Sequence, residues 1–384
     1  MTQPDNAVKI KKDSINVVYC TDNKYILYMA VSLTSLILNN LSEKIAVHII
    51  YGSDTSLAEL KKIQQLEQKY ANIKICLYPF APYEKECQQL LGGSKNWVQY
   101  MRLYIDEILP EDLLRIIYID ADSLCVGNIN AVAFINLRDR AIGAVSVSDD
   151  ELMKIYKVDN EKNVVPFKFS NIFLNAGFLL VDMDKYKRRQ LRKKIMTFAQ
   201  QNDINNIEEA VSCALNGEFY HLDGRYNRLL SPAYPWYKGY EQDIIWHFCG
   251  DVKPWQLWYR AADDGYNNNL YRALQDVYFV YADEAPCSVK AIEPVTINEI
   301  IFTMMAMKRD KKYKKYVEYF LQISKFLAKS SKLNTAQKIR RYDELLLEIK
   351  QGHNNGHNGE MLRQVLQAVK LAWPSAAEFL EKVY

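Results

Sequence analysis

Apolar and polar positions along the chain alternate between two rhythms. Short runs of β-branched and aromatic residues at 15–20, 45–51 and 73–78 have the length and composition of buried strands. Between them, 25–38 and about 56–70 carry apolar residues at the three- and four-residue spacing of a helix with one buried face. Thr21-Asp22-Asn23 supplies polar turn chemistry that can cap the first of these helices. Strands alternating with helices argue for a parallel sheet flanked by helices. A loop at Gly92-Gly93-Ser94 then leads to a predicted helix over 96–108, which carries Arg102 towards a fourth strand at 116–119.

That fourth run, Ile116-Ile117-Tyr118-Ile119, is followed at once by Asp120 and Asp122. Chain direction puts the pair at the carboxyl end of its strand, where open α/β sheets bind ligands. Along an extended chain residues i and i+2 point to one side, so both carboxylates can reach one cation while Ala121 turns away. A hard divalent ion that keeps positions open for phosphate oxygens needs only one or two carboxylates from the protein. The same residues also suit a strand that ends and a turn that begins. Spacing alone does not choose between the two.

Beyond the acids, 141–147 reads as another strand and 149–170 as a polar cover over a site. The run 173–182 is a buried strand interrupted by Asn175-Ala176-Gly177, small residues that let something approach the backbone closely. A basic helix over 186–201, a helix over 207–216 and a short strand around Phe219 lead to the segment His247-Phe-Cys-Gly-Asp-Val-Lys-Pro-Trp255. There His247 offers an imidazole of the kind that Zn, Mn and related ions accept beside carboxylates. Gly250 offers a turn, and Lys253 a point charge for a phosphate. Each has an ordinary structural role available, as core histidine, turn glycine and solvated lysine. Their combination with the acid pair favours a site.

Composition removes several classes. At 384 residues and 49% hydrophobic the chain can bury a large core, and a net charge of +3 is too weak to imply nucleic acid. Seven cysteines, an odd number without framework spacing, read as reduced thiols of a cytosolic protein. The first residues carry no apolar signal region, and no uninterrupted apolar run is long enough to cross a bilayer. No glycine-rich fingerprint follows the first strand, which argues against a dinucleotide-binding oxidoreductase.

Five landmarks stand in order along the chain: Val18-Tyr-Cys-Thr-Asp22, Arg102-Leu103, Ile117-Tyr-Ile-Asp-Ala-Asp122, Phe173-Leu-Asn-Ala-Gly177 and His247 to Trp255. With them the chain resembles the retaining glycosyltransferases of family 8 from about 15 to 255. The resemblance implies an α/β fold of the GT-A type, Rossmann-like with a mostly parallel sheet flanked by helices. It also implies a UDP-glucose or UDP-galactose donor and Mn²⁺ or Mg²⁺ on the diphosphate. It would make Asp120, Asp122 and His247 metal ligands and place Gly250 and Lys253 on the diphosphate. Cys20 and Asp22 fall at the uridine, Arg102 at the donor, and Asn175 and Ala176 at the donor-sugar hydroxyls, with Ala121 inside the same donor-binding stretch. The expected product is a glycosylated sugar of lipopolysaccharide or a related surface glycan. A glycosylated surface protein as acceptor, and a nucleotide-sugar-binding protein with little turnover, are the alternatives.

Two positions depart from the family pattern. Where it usually has Asp-Gln-Asp, this chain has Ile207-Glu208-Glu209, so a carboxylate replaces an amide; Glu208 and Asn175 are the candidate catalytic residues. An acidic helix start is the plainer reading of that segment. Lys24 stands where an asparagine is frequent near the nucleotide. The expected division is a polar tail over 1–14, a catalytic domain over 15–260 and a helical extension over 261–384. Helices are expected at 264–285, 297–307, 334–350 and 360–372. Within the extension, 308–332 is a basic helix with aromatic residues, suited to an interface or to an anionic membrane surface. Membrane association would bring the enzyme to the inner face of the plasma membrane and to a lipid-linked acceptor.

Overall fold

The computed structural model describes residues 14–92, 95–147, 173–204, 206–230, 242–250, 253–256 and 265–289. Two compact units divide the chain, Met1–Trp255 with Tyr271–Lys290, and Gln256–Leu270 with Ala291–Tyr384. Both sheets belong to the first unit. The expected cover over 149–170 and the helices after 290 lie outside the described residues.

A seven-stranded sheet forms the centre, in the order β3-β2-β1-β4-β7-β6-β8. Strands β1 (Ile15–Thr21), β2 (Ile45–Tyr51), β3 (Ile73–Pro79) and β4 (Arg115–Ile119) are mutually parallel where they pair. Strand β7 (Phe173–Asp182) runs antiparallel to both β4 and β6 (Ile142–Val147), and β8 (Tyr220–Leu222) pairs parallel with β6. A second, three-stranded sheet has β10 (Ile245–His247) between β5 (Ser123–Cys125) and β9 (Arg228–Leu229).

Side-chain alternation sorts the central strands into two cores. Val18, Cys20, Ile116 and Tyr118 pack on one side of the sheet with Tyr100, Leu103 and Tyr104. Val17, Tyr19, Ile117 and Ile119 pack on the other with the helix Ile26–Leu38. Asp120 follows Tyr118 by two residues, so it inherits the first side, while Ala121 joins the second core.

Tertiary contacts change three expected elements. Lys95–Tyr104 is a 3₁₀ helix, with a short α-turn only at Ile105–Ile108. Runs of 3₁₀ structure this long are uncommon. Here Tyr100, Met101, Leu103 and Tyr104 are all buried, and the Tyr100 hydroxyl donates to the Ile204 carbonyl at 2.8 Å. The basic helix breaks into Met183–Arg188 and Leu191–Gln201 at Gln190, whose φ of 51° is left-handed. The interruption at Asn175-Ala176-Gly177 is one of register, because β7 continues but Ala144 faces Leu179 while Ser146 faces Leu174. The extra β7 residues between those partners have no partner in the β6 register.

Candidate active site

The site begins where β4 ends. The Asp120 N–H donates to the Gly177 carbonyl at 2.8 Å, which extends the β4–β7 pairing by one residue. The Asp120 carboxylate is held from two directions. Its Oδ1 accepts from the Tyr118 hydroxyl at 2.5 Å and from Arg102 Nη2 at 2.9 Å, and its Oδ2 accepts from Arg102 Nη1 at 3.3 Å. Arg102 is 8% exposed, lies over the Tyr118 ring at 4.5 Å, and donates to the Ala176 and Gln99 carbonyls. A buried bidentate guanidinium with all these partners fixes the carboxylate rather than merely neutralising it.

Asp122 turns towards the second sheet. Its backbone carbonyl accepts from the Phe248 N–H at 3.0 Å, and pairing of β10 with β5 places His247 opposite Ser123. The imidazole Nε2 lies 3.3 Å from Asp122 Oδ1 and 4.0 Å from Asp120 Oδ2. Lys253 Nζ donates to Asp122 Oδ2 at 2.5 Å and to the Phe248 carbonyl at 2.8 Å. Gly177 supplies the space for the ring. A Cβ there would lie 2.2 Å from His247 Cε1 and 2.7 Å from Nδ1, so no larger residue fits without displacing the histidine.

Ligand atoms of Asp120, Asp122 and His247 all lie within 4.8 Å of one another. Donors around an ion with bonds of about 2.1 Å stand roughly 3–4 Å apart, and the 3.3 and 4.0 Å separations fall in that range. Two carboxylates and one imidazole form a donor set suited to Mn²⁺ or a related divalent ion. The residues therefore fit a metal. His247 Nδ1, the nitrogen facing away from the acids, has no hydrogen-bond partner among the described residues.

Charge balance in this pocket is tight. Burial alone would raise the Asp122 carboxyl, but Lys253 and His247 outweigh it and hold the group below the usual carboxylate range. Burial alone would lower His247 and Lys253, and in both cases the Asp122 carboxylate outweighs it and raises the group above its ordinary value.

Beside this cluster stands a chain of polar contacts. Asn206 caps the helix Ile207–Leu215 by accepting from the Glu209 N–H, which brings Glu208 into the first turn. Glu208 Oε1 accepts from Asn175 Nδ2 at 2.5 Å. Asn175 Oδ1 accepts from the Gly177 N–H at 3.0 Å and from Asn227 Nδ2 at 2.7 Å, so the Asn175 amide cannot flip without losing both. The Cys249 thiol, pushed up to about 12 mainly by burial, also feels the Glu208 carboxylate, which ties this network to the β10 segment.

The remaining expected residues surround the same region. Cys20 is a buried neutral thiol, pushed up to about 12 by burial, with Arg102 and Asp120 as its charged neighbours. Asp22 Oδ1 accepts from the Tyr25 N–H at 2.9 Å and so closes the turn before the first helix. Gly250 is exposed with a φ of 80°, and Lys24 is exposed, 5.4 Å from the Tyr25 ring centroid. Ala176 contributes its carbonyl to Arg102, whereas Ala121 packs in the core. Three residues that sequence reasoning passed over belong here. Tyr118 and Asn227 hold Asp120 and Asn175, and the Tyr25 hydroxyl, raised first by burial, has Lys253, Asp122 and Asp120 among its charged neighbours. Tyr118 and Tyr25 sit in runs whose pattern predicts a strand and a helix, and nothing around Asn227 singles it out.

Comparison with known proteins defines first a class. The chain superposes on the crystal structure of an active-site glutamine-to-glutamate mutant of LgtC with a TM-score of 0.52, at 18% identity, covering 74% of this chain and 98% of that one. The fold is thus that of the GT-A glycosyltransferases. Residues 16–259 match the model of glycosyl transferase family 8, and the chain belongs to that family. It is 24% identical over 325 residues to the lipopolysaccharide 1,3-galactosyltransferase of Salmonella typhimurium, covering 80% of this chain and 90% of that protein. It is 26% identical over 264 residues to the lipopolysaccharide 1,2-glucosyltransferase of Escherichia coli K12, covering 64% of this chain and 74% of that protein.

Proposed function

We infer that this glycosyltransferase moves glucose or galactose from UDP to an acceptor sugar of lipopolysaccharide or a related surface glycan, with retention at the anomeric carbon. One observation carries the reading: Asp120, Asp122, His247 and Lys253 converge beyond the carboxyl end of β4. The names of the two enterobacterial relatives support the hexose and the acceptor class.

Asp120, Asp122 and His247 would hold Mn²⁺ or Mg²⁺, which supplies Lewis-acid stabilisation of the charge on the departing diphosphate. Arg102 and Tyr118 keep the Asp120 carboxylate in place. Lys253 meets the diphosphate beside the turn at Gly250 and adds a second positive charge. Cys20, Asp22 and Tyr25 line the uridine end, and Asn175 with the Ala176 backbone faces the sugar. The bond from the anomeric carbon to UDP breaks with its electron pair on UDP, and the acceptor hydroxyl oxygen forms the new bond while its proton passes to the departing phosphate. Glu208, aligned by Asn175, stabilises the cationic sugar while the acceptor attacks on the face that UDP leaves, or it bonds to the anomeric carbon as UDP departs and is itself displaced by the acceptor in the second of two inversions. Either route gives retention. A lipid-linked acceptor places the enzyme in the cytoplasm at the inner membrane face, and no helix among the described residues is long and apolar enough to cross a membrane.

The test is UDP release from UDP-glucose and UDP-galactose, with and without Mn²⁺, alongside calorimetric UDP binding. Release above a chelated control, with cation-dependent affinity that His247→Ala reduces at least about tenfold, is the expected result. UDP affinity indifferent to chelation removes the metal reading. Tight UDP binding without release on any acceptor makes the chain a nucleotide-sugar-binding protein.

A further inference from the structure

The last described helix, Gly265–Glu284, begins after the residues that match the family, yet it packs against the segment that carries Lys253. Tyr278 is fully buried, and its ring touches both ends of that segment. The Phe248 ring lies edge-on at 6.0 Å between centroids and the Trp255 ring at 5.6 Å. Trp255 also stacks on Tyr28 of the first helix, at 3.6 Å and 4°. Gln275, one turn before Tyr278, donates to the Pro254 carbonyl at 3.2 Å, directly after Lys253. One turn further on, the Tyr281 hydroxyl accepts from Asn39 Nδ2 at 2.8 Å and anchors the helix to the end of the first helix. Lys253 sits between the two clamped aromatic residues, and its ammonium donates to the carbonyl of one of them, Phe248.

We propose that this helix is a brace for the diphosphate end of the donor site, with Tyr278 as the positioning residue that holds Lys253 against Asp122. The inference rests on the reading of Lys253 as the diphosphate lysine. The physical reason is that a lysine has a long, freely rotating stem, so its ammonium is placed only if both its backbone and the surface beneath it are fixed. Aromatic contacts at Phe248 and Trp255 and the bond to the Pro254 carbonyl supply that fixity from outside the catalytic sheet. The Tyr278 hydroxyl has no hydrogen-bond partner among the described residues, so the ring and not the hydroxyl is the working part.

Uridine and UDP share a base and a sugar and differ in the diphosphate, so their affinities read the two ends of the site separately. Titration of the full chain with each, in Mn²⁺, is the experiment. Tyr278→Ala is expected to lower the thermal midpoint, as loss of a buried ring must, and to weaken UDP about tenfold while leaving uridine affinity near wild type, and Tyr278→Phe to bind both as wild type does. Equal weakening of UDP and uridine would show general loosening and overturn the proposal, as would unchanged UDP binding by a folded Tyr278→Ala. A Phe variant as impaired as the Ala variant overturns it too. If Tyr278→Ala does not fold, Gln275→Ala decides: selective UDP loss supports the brace, and wild-type UDP affinity overturns it. Lys253→Ala separates the premise from the inference. If it binds UDP like wild type, the reading of Lys253 fails and the brace has no object; if it loses UDP while Tyr278→Ala does not, only the brace fails.

Discussion

Glu208 is the residue whose chemistry most needs its neighbours. Its carboxylate accepts from Asn175 Nδ2, and the orientation of that amide is dictated by the Gly177 N–H and Asn227. Glu208→Gln keeps an acceptor for Asn175 and removes only the charge. Turnover should fall roughly a hundredfold, as for loss of one preorganised electrostatic partner, with UDP affinity unchanged. Steady-state rates beside UDP titration check this, and unchanged turnover would return Glu208 to an acidic helix start. The acids, the imidazole and Lys253 were legible as residue types because few other roles suit that combination. Tyr118, Tyr25 and Asn227 were not, because a tyrosine in an apolar run has the same pattern whether it fills a core or holds a carboxylate.

At the scale of elements, the site depends on how closely β7 approaches the end of β10. Gly177 is where they meet, within the β7 stretch that falls at the register shift against β6. Gly177→Ala must move the His247 ring, since the new carbon would lie 2.2 Å from Cε1. Overpacking of this kind costs about 1–3 kcal/mol, and a displaced ligand lowers Mn²⁺ affinity by roughly tenfold or more. A Mn²⁺ titration of UDP binding, paired with a thermal melt, reads both effects; undisturbed Mn²⁺ dependence would mean that the ring is not where catalysis needs it. The small residues at 175–177 announced a close approach in the sequence. The partner in that approach was not announced, because the three-residue β10 is too short to show a period and exists only through pairing with β5 and β9.

Across the whole molecule, acid stability should follow a histidine remote from the site. His48 on β2 is fully buried between Tyr78 and Asn16, and burial pushes its imidazole down from 6.5 to about 4. Between those values the unfolded chain binds a proton that the folded one refuses, so folding stability is complete above about 6.5 and declines as pH falls towards 4. The shift corresponds to at most about 3 kcal/mol. Urea unfolding of wild type and His48→Gln from pH 7 to 4 is the check, with the wild-type curve expected to fall more steeply by about that amount.

By itself the sequence determined the alternation of strands and helices and the place of the acid pair at the end of β4. These follow from local periodicity and chain direction, which a linear string contains in full. Tertiary structure alone decided the antiparallel insertion of β7, the second small sheet, the 3₁₀ geometry beneath Arg102 and the meeting of residue 247 with residues 120 and 122. Each of these depends on pairings between segments far apart in the chain, and the energy of such pairings is written in neither segment separately.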